Sequence, residues 1–346
     1  MNYDYISSYK IARNCDVVFS EVVTPNQFIR LDIKNYSIIY ENSRQVFYKL
    51  DSFEVIKNIS IFTNSHLLEH LFRVLKNVPR DYNITLITNQ TDLAVTREVY
   101  DSKPECINTW YSINVDSKSP NLIPIPLGLS NDYSPKNLLA DDFKKLKLDA
   151  NSKKSIFFYI NFSKNTNHKE RQNLYDKFAN KDWAYLQKNN LTKENYYSEL
   201  SSSEFCLSPF GNGIDTHRIW ESLYLDVIPV TKYHYTFSSV QNLPILFVND
   251  YNEITLDLLD TFKKNYIRND YNFQLLENDY WTNKINVNTT DLNEISIHLN
   301  TSYLYKNYIK FEYLFKEYIK RITKIIIFNT KKLSKARTLV FRRNGK

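Results

Sequence analysis

Glycine is almost missing: Gly128, Gly211, Gly213 and Gly345 are the four in 346 residues, where ordinary usage near 7% would supply about two dozen. A turn that needs glycine is therefore expected to have taken one of these four. No stretch carries the spacing G-x-G-x-x-G or G-x-x-x-x-G-K-[ST], which excludes the usual dinucleotide loop and the usual phosphate loop. Cysteine is also scarce. Cys15, Cys106 and Cys206 are odd in number and far apart, with no C-x-x-C pair and no histidine at ligand spacing. Neither a disulfide framework nor a zinc site is expected, and buried free thiols in a reducing compartment follow. No run approaches the ~20 apolar residues of a spanning helix, and the opening MNYDYISSYKIARNCDVVF lacks the apolar centre of a signal peptide. The expected location is the cytoplasm.

What is present suffices for large cores. The chain is 42% hydrophobic and 15% aromatic, and its length suggests two domains of roughly 150 residues. Its charge is unevenly placed. From Lys306 to Lys346 nine lysines and four arginines face two glutamates, a net +11 that leaves −4 of the overall +7 for the rest of the chain. The basic character thus belongs to a tail, and no nucleic-acid partner is expected for the body.

Short β-branched and aromatic runs alternate with helical patterns, which predicts α/β layers with parallel sheets. In the first half the expected strands are Val17 to Phe19, Ser37 to Tyr40, Ser60 to Thr63, Ile84 to Thr88 and Leu122 to Pro126, with an amphipathic helix from His66. Residues Asn131 to Ser152 turn polar, lysine-rich and helical. A second series runs through strands at Ser155 to Ile160, Glu204 to Ser208, Val227 to Thr231 and Ile245 to Asn249. Helices near Lys169 to Ala179, Lys193 to Ser201, Thr216 to Leu225 and Glu253 to Lys264 fit between them. The expected organisation is a first α/β unit with linker over 1–150, a second α/β unit over 151–300, and a C-terminal helix with a basic tail over 301–346. Two such units imply a cleft, with ligands outside the carboxyl ends of strands.

The most informative stretch is Phe205-Cys-Leu-Ser-Pro-Phe-Gly-Asn-Gly-Ile-Asp-Thr-His-Arg-Ile-Trp-Glu-Ser-Leu-Tyr-Leu-Asp-Val-Ile-Pro-Val. A strand ends at Pro209, the turn Gly211-Asn212-Gly213 follows, and Asp215 or Thr216 is placed to cap a helix. At about 100° per residue, Arg218 and Glu221 share one face while Trp220, Leu223 and Tyr224 lie opposite. A helix N-terminus with glycine-freed amides and an arginine on its first turn is an anion site suited to a diphosphate, and Glu221 can accept from ribose hydroxyls. The alternative is an i, i+3 surface ion pair. His217 is expected to orient or pack.

These residues resemble the C-terminal donor-domain signature of exostosin-type glycosyltransferases: phenylalanine-x-leucine-x-proline, a glycine-bearing turn, Arg-x-x-Glu and an Ile-Pro-Val strand. Asn161-Phe-Ser-Lys-Asn-Thr-Asn-His-Lys-Glu-Arg171 is similar to a box of the bacterial and viral members, and Pro124-Ile-Pro-Leu-Gly-Leu-Ser-Asn131 to their linker. The likeness covers roughly residues 84 to 260. It implies a GT-B fold of two Rossmann-like parallel-sheet domains, a nucleotide-sugar donor (a UDP-sugar foremost), and inverting transfer with no metal or other cofactor. By position it implies that Arg218 holds the diphosphate, Glu221 the ribose or sugar side, and Lys232 adds a second cation. Asn161, Ser163 and Thr166 would sit on a loop pointing into the cleft, with Arg171 either a phosphate ligand or a helix-face ion pair. Asp226 and Val227 depart from the family pattern, which has Gly or Ala before the Ile-Pro-Val strand. No Asp-x-Asp triplet supports a metal clamp.

Inverting chemistry needs a base on the acceptor side. Asp92, beyond the strand Ile84 to Thr88, leads; Glu21 and His66 follow, and each is otherwise a cap or a loop polar group. In the tail, Leu304, Tyr308, Phe311, Phe315, Tyr318, Ile322 and Ile325 recur at near-helical spacing, which predicts a helix returning to the body. Lys331 to Arg343 then read as a polybasic amphipathic end able to lie on an anionic inner leaflet. The expected partners are a nucleoside-diphosphate sugar, a glycan or lipid-linked glycan in surface polysaccharide assembly, and that membrane surface. A retaining transferase and a non-catalytic nucleotide- or glycan-binding module remain as alternatives.

Overall fold

In the computed structural model, which describes residues 3–134, 137–146, 154–188, 190–285, 294–299, 302, 304–319 and 322, two sheets organise the chain. The first half supplies β1 (Val17–Val23), β2 (Tyr36–Glu41), β3 (Val46–Leu50), β4 (Ser52–Val55), β5 (Ser60–Asn64), β6 (Ile84–Asn89), β7 (Ile107–Ser112) and β8 (Leu122–Pro124). Seven of these form a sheet in the order β2-β3-β1-β5-β6-β7-β8. Strands β1, β5, β6, β7 and β8 are parallel, and β2 and β3 extend the sheet as an antiparallel edge. In register, Asn64 stands opposite Asn89, so β5 and β6 end at the same level.

The second half supplies β9 (Ile156–Ile160), β10 (Ala184–Leu186), β11 (Ser203–Leu207), β12 (Ile228–Lys232) and β13 (Leu246–Val248), all parallel, in the order β10-β9-β11-β12-β13. The chain starts at β9, steps to one side to make β10, then returns to the other side for β11. This is a doubly wound sheet whose order reverses between β9 and β11, the place where such sheets hold ligands. The helices between them start where a side chain can satisfy orphan amides: Thr192 accepts from Asn195 N ahead of Lys193–Ser201, and Thr255 accepts from Leu258 N ahead of Leu256–Asn265.

The mixed α/β class and the parallel sheets expected from the sequence are therefore present. Strands β3, β4, β7 and β10 are additions. The polar segment Asn131 to Ser152 contributes the helix Ala140–Leu146, and its residues 135–136 and 147–152 lie outside the described part.

The two units share an apolar core. Phe62, Ile87 and Tyr111 from the first sheet, with Ile113 just beyond β7, join one apolar cluster with Ile219, Trp220, Leu223, Tyr224 and Trp281. The ends of the chain cross over as well. Near the start, Asp4 N donates to Glu277 Oε2 (2.7 Å) and Ile6 N to Tyr224 Oη (3.0 Å), tying the first residues to the second unit. Near the other end, β14 (Ile295–His298) pairs antiparallel with β4 of the first unit. No helix among the described residues is long and apolar enough to cross a membrane.

The scarcity of glycine is met by other residues. Asn35, Asn58, Asn83, Asn114, Asn121, Asn167, Asp32, Asp226 and Gln90 all have positive φ, against Gly128 alone among the glycines of the described residues. Asparagine and aspartate tolerate the left-handed region better than other side chains. The expectation that each such turn consumed one of four glycines is corrected: the polar residues took those places.

Candidate functional site

At the switch point the loops after β9 and β11 lie side by side, and Arg171 fastens them. Its guanidinium donates to Ser163 O (2.9 Å), Thr166 Oγ1 (2.7 Å), Pro209 O (3.0 Å) and Phe210 O (2.9 Å). Every nitrogen is occupied and the residue is buried, so Arg171 is neither a phosphate ligand nor a helix-face ion pair. It is a strut. Burial, with Arg218 as the next cause, pulls it down to about 10. Ser163 and Thr166, expected to touch a donor, serve this strut. Asn161 donates to Tyr159 Oη (2.7 Å), whose hydroxyl donates to Glu199 Oε2 (2.9 Å).

The turn after β11 is closed by Gly211 N donating to Gly213 O (2.9 Å). Its glycines stand against close side-chain neighbours. A Cβ on Gly211 would lie 3.3 Å from Arg171 Nη2, and one on Gly213 would lie 3.0 Å from Asn114 Nδ2. Asn114, just beyond β7, turns its Oδ1 to accept from Ile214 N and Asp215 N at 2.9 Å each. Two of the amides expected to be free for an anion are thus taken by a side chain from the other unit.

The helix His217–Tyr224 follows. Thr216 is its N-cap, yet the hydroxyl makes no capping bond, and Thr216 Oγ1 is buried without a partner. Of the first-turn amides, Ile219 N donates to Thr216 O (3.1 Å), which leaves those of His217 and Arg218 without an intrahelical acceptor. Arg218 stands in that turn, its Nε buried and without a hydrogen-bond partner. The surface pair with Glu221 does not form. Glu221 is buried on the helix face expected to be open, accepting from Tyr196 Oη (2.7 Å) and Leu138 N (3.3 Å). Two carboxylate oxygens committed in this way leave Glu221 to hold the helix rather than to meet a ribose. Asp215 is likewise structural. It is buried, accepts from Leu127 N (2.9 Å) and Trp220 Nε1 (2.9 Å), and burial pushes it up to about 7. His217 orients the linker, with Nδ1 2.8 Å from Gly128 O. Lys232, at the end of β12, is ion-paired to Glu170 and flanked by the rings of Phe210 and Tyr251 at 5.2 and 5.1 Å.

The three candidate bases lie apart. Asp92 is exposed beyond β6 and accepts from Asn212 Nδ2 (3.2 Å), which places a carboxylate from the first unit on the Gly211–Gly213 turn. Glu21 is fully buried on β1, paired with Arg13 and accepting from Tyr48 Oη (3.3 Å), and burial pushes it up to about 7. His66 follows β5, with its ring edge-on to Tyr313 at 5.5 Å. Only Asp92 of the three contacts the turn.

The carboxyl ends of both sheets thus converge on Gly211–Gly213. Asn114 and Asp92 approach from the first sheet, and Arg171, Thr216 and Arg218 from the second. His234 joins the same rim, with Nε2 3.0 Å from Asp116 Oδ1. Asn114 and His234 were not anticipated; Asn114 was hidden because β7 was not recognised, although an Asn following a strand's carboxyl end is a usable signal. Among the described residues there is no group of three or more His, Cys, Asp or Glu side chains placed to hold a metal ion. The cysteines are free, Cys106 and Cys206 buried and Cys15 partly so. No protein-family model matches the chain, and no curated protein matches its sequence.

Proposed function

We propose that the chain is a glycosyltransferase of GT-B type. It would move a sugar from a nucleoside diphosphate, UDP foremost, to a hydroxyl of a glycan or lipid-linked glycan in surface polysaccharide assembly in the cytoplasm. One observation carries the reading. At the reversal point of a doubly wound sheet, Arg218 stands on the uncapped first turn of a helix with its Nε buried and unpartnered. A buried donor without an acceptor is costly, and a phosphate oxygen seated on the helix terminus supplies that acceptor. The resemblance of the same residues to exostosin-type enzymes supports it.

In the reaction the acceptor oxygen forms its bond to the anomeric carbon as the bond to the diphosphate oxygen breaks, with inversion. The hydroxyl proton passes to Asp92, and the charge released on the diphosphate is taken up by Arg218 and the helix amides. Arg171, Asn114 and Asp215 hold the loops and the helix at fixed spacing and touch neither substrate.

Calorimetric titration of the nucleoside diphosphates, run with a chelator present, tests the donor site. One of them should bind, and Arg218→Ala should weaken it by about 2 kcal/mol, the scale of a charge-assisted hydrogen bond. If none binds, or if Arg218→Ala binds as tightly as the parent, the donor site is misplaced. Asp92→Asn should keep donor affinity and lower kcat by about a hundredfold or more. Tight nucleotide binding with no transfer or donor hydrolysis would instead indicate a binding module.

A further inference from the structure

Residues 304–319 form a helix that carries two apolar rows. One row faces the body. Ile309 is 1% exposed, Tyr313 packs on Phe47 with ring centroids 5.1 Å apart, and Tyr305 Oη lies 3.3 Å from His70 Nδ1. Glu312 Oε2, 3.4 Å from His70 Nε2, fixes the same face. The other row was expected from its spacing to return to the body, and the structure turns it outward. Leu304 (79%), Tyr308 (53%), Phe311 (65%), Phe315 (51%) and Tyr318 (59%) are exposed. They fall within an arc of less than about 140° at 100° per residue. Phe311 and Phe315 stack at 5.8 Å, making a continuous aromatic ridge.

This exposure is not a general property of the surface. Half of the large hydrophobic side chains exposed among the described residues stand on this one helix. The helix is anchored by its opposite face, so the ridge is held out by packing. The sequence that follows settles the choice of occupant. Residues 320–346 contain six lysines, four arginines and no acidic residue; apart from the described Ile322 they lie outside the described part, and only their charge enters here. A soluble protein would match the apolar ridge but would leave ten cations without counter-charge. An anionic bilayer supplies an apolar layer and a negative surface together.

We infer that the ridge Leu304–Tyr308–Phe311–Phe315–Tyr318 is a docking surface for an anionic lipid membrane. The inference is independent of the donor site and stands or falls without it.

The test uses the full chain and vesicles of phosphatidylcholine with and without phosphatidylglycerol. The protein should sediment with the anionic vesicles and be released by added salt. The double variant Phe311→Ser/Phe315→Ser should partition about tenfold less or weaker still, with an unchanged melting temperature because both rings are exposed. Phe311→Trp, read against the parent, should shift to the blue on adding anionic vesicles and be quenched by brominated lipid. Four results would overturn the inference. Anionic vesicles that fail to sediment the chain would be the first, and a double variant that binds as the parent does, which leaves charge alone, the second. A parent dimer in sedimentation velocity that the double variant dissolves would make the ridge a contact between copies. Finally, Phe311→Trp emission that is already blue without lipid would mean the chain covers its own ridge.

Discussion

Arg171 and Arg218 stand in opposite surroundings. Arg171 spends every nitrogen on three carbonyls and one hydroxyl, while Arg218 keeps a buried Nε without a partner. Removing Arg171 would strand those acceptors at a loss of about 3 kcal/mol, so Arg171→Ala should melt lower with or without nucleotide. Arg218→Ala should lower the melting temperature less than Arg171→Ala does when no nucleotide is present, since among the described residues its side chain makes no hydrogen bond and is held by the charge of Glu221 and its neighbours. Glu21 gives a pH signature. Its folded-state carboxyl is raised from 4.5 to about 7 by burial, against the opposing pull of Arg13. A raised carboxyl binds its proton more tightly in the native state, so its contribution is full below about pH 4.5 and is lost as pH climbs through about 7, on the order of 3 kcal/mol. Glu21→Gln does not titrate. Its melting temperature minus that of the parent should therefore rise between pH 4.5 and pH 8; a difference that is flat or falls would refute the buried acid. Asp215, also raised to about 7, acts in the same direction.

At the scale of elements, Gly128 is the glycine that backbone geometry demands. Its φ is +70, and a Cβ there would stand 2.3 Å from Ile6 O. The linker bends at that residue, with Leu129 N donating to Ile6 O and Gly128 O facing His217. Gly128→Ala should lower stability by about 2 kcal/mol or more and loosen the helix that carries Arg218, measured by denaturant unfolding. Asp226→Gly is the contrasting case. Asp226 sits at φ +52 after that helix, a conformation glycine adopts freely, and its carboxylate makes a partly exposed ion pair with Arg268, so the substitution should be tolerated within about 1 kcal/mol. These elements also mark how far the sequence was legible. Strands β9, β11 and β12 were readable because buried parallel strands are short apolar runs between helices. Strand β7 was not, because Ile-Asn-Thr-Trp-Tyr-Ser mixes polar residues into a fully paired strand. With it went Asn114, which accepts from Ile214 N and Asp215 N beside the Gly211–Gly213 turn. Helical spacing was visible in residues 304–319, but two apolar rows on one helix leave the buried side undetermined until the partner surface is known. The motif Arg-x-x-Glu was found, while the roles of Glu221 and Arg171 depended on contacts from Tyr196, Leu138 and the loop carbonyls, which no local pattern encodes.

For the whole molecule, the shared cluster of Phe62, Tyr111, Trp220 and Trp281 binds the two sheets into one cooperative body. Calorimetry should therefore record a single unfolding transition that nucleotide raises as a unit; two separable transitions would mean that the joint is weak. The positive-φ asparagines and aspartates bear on the other side of that equilibrium. Glycine widens the range of conformations open to an unfolded chain, and a chain with four of them in 346 residues is correspondingly narrow when denatured. Each asparagine held in the left-handed region strains the native backbone slightly, yet it also shrinks the ensemble from which folding starts. Replacing such an asparagine by glycine relaxes the turn and enlarges the denatured ensemble, two effects of similar size and opposite sign. The four glycines are thus a property of the unfolded protein as much as of the folded one.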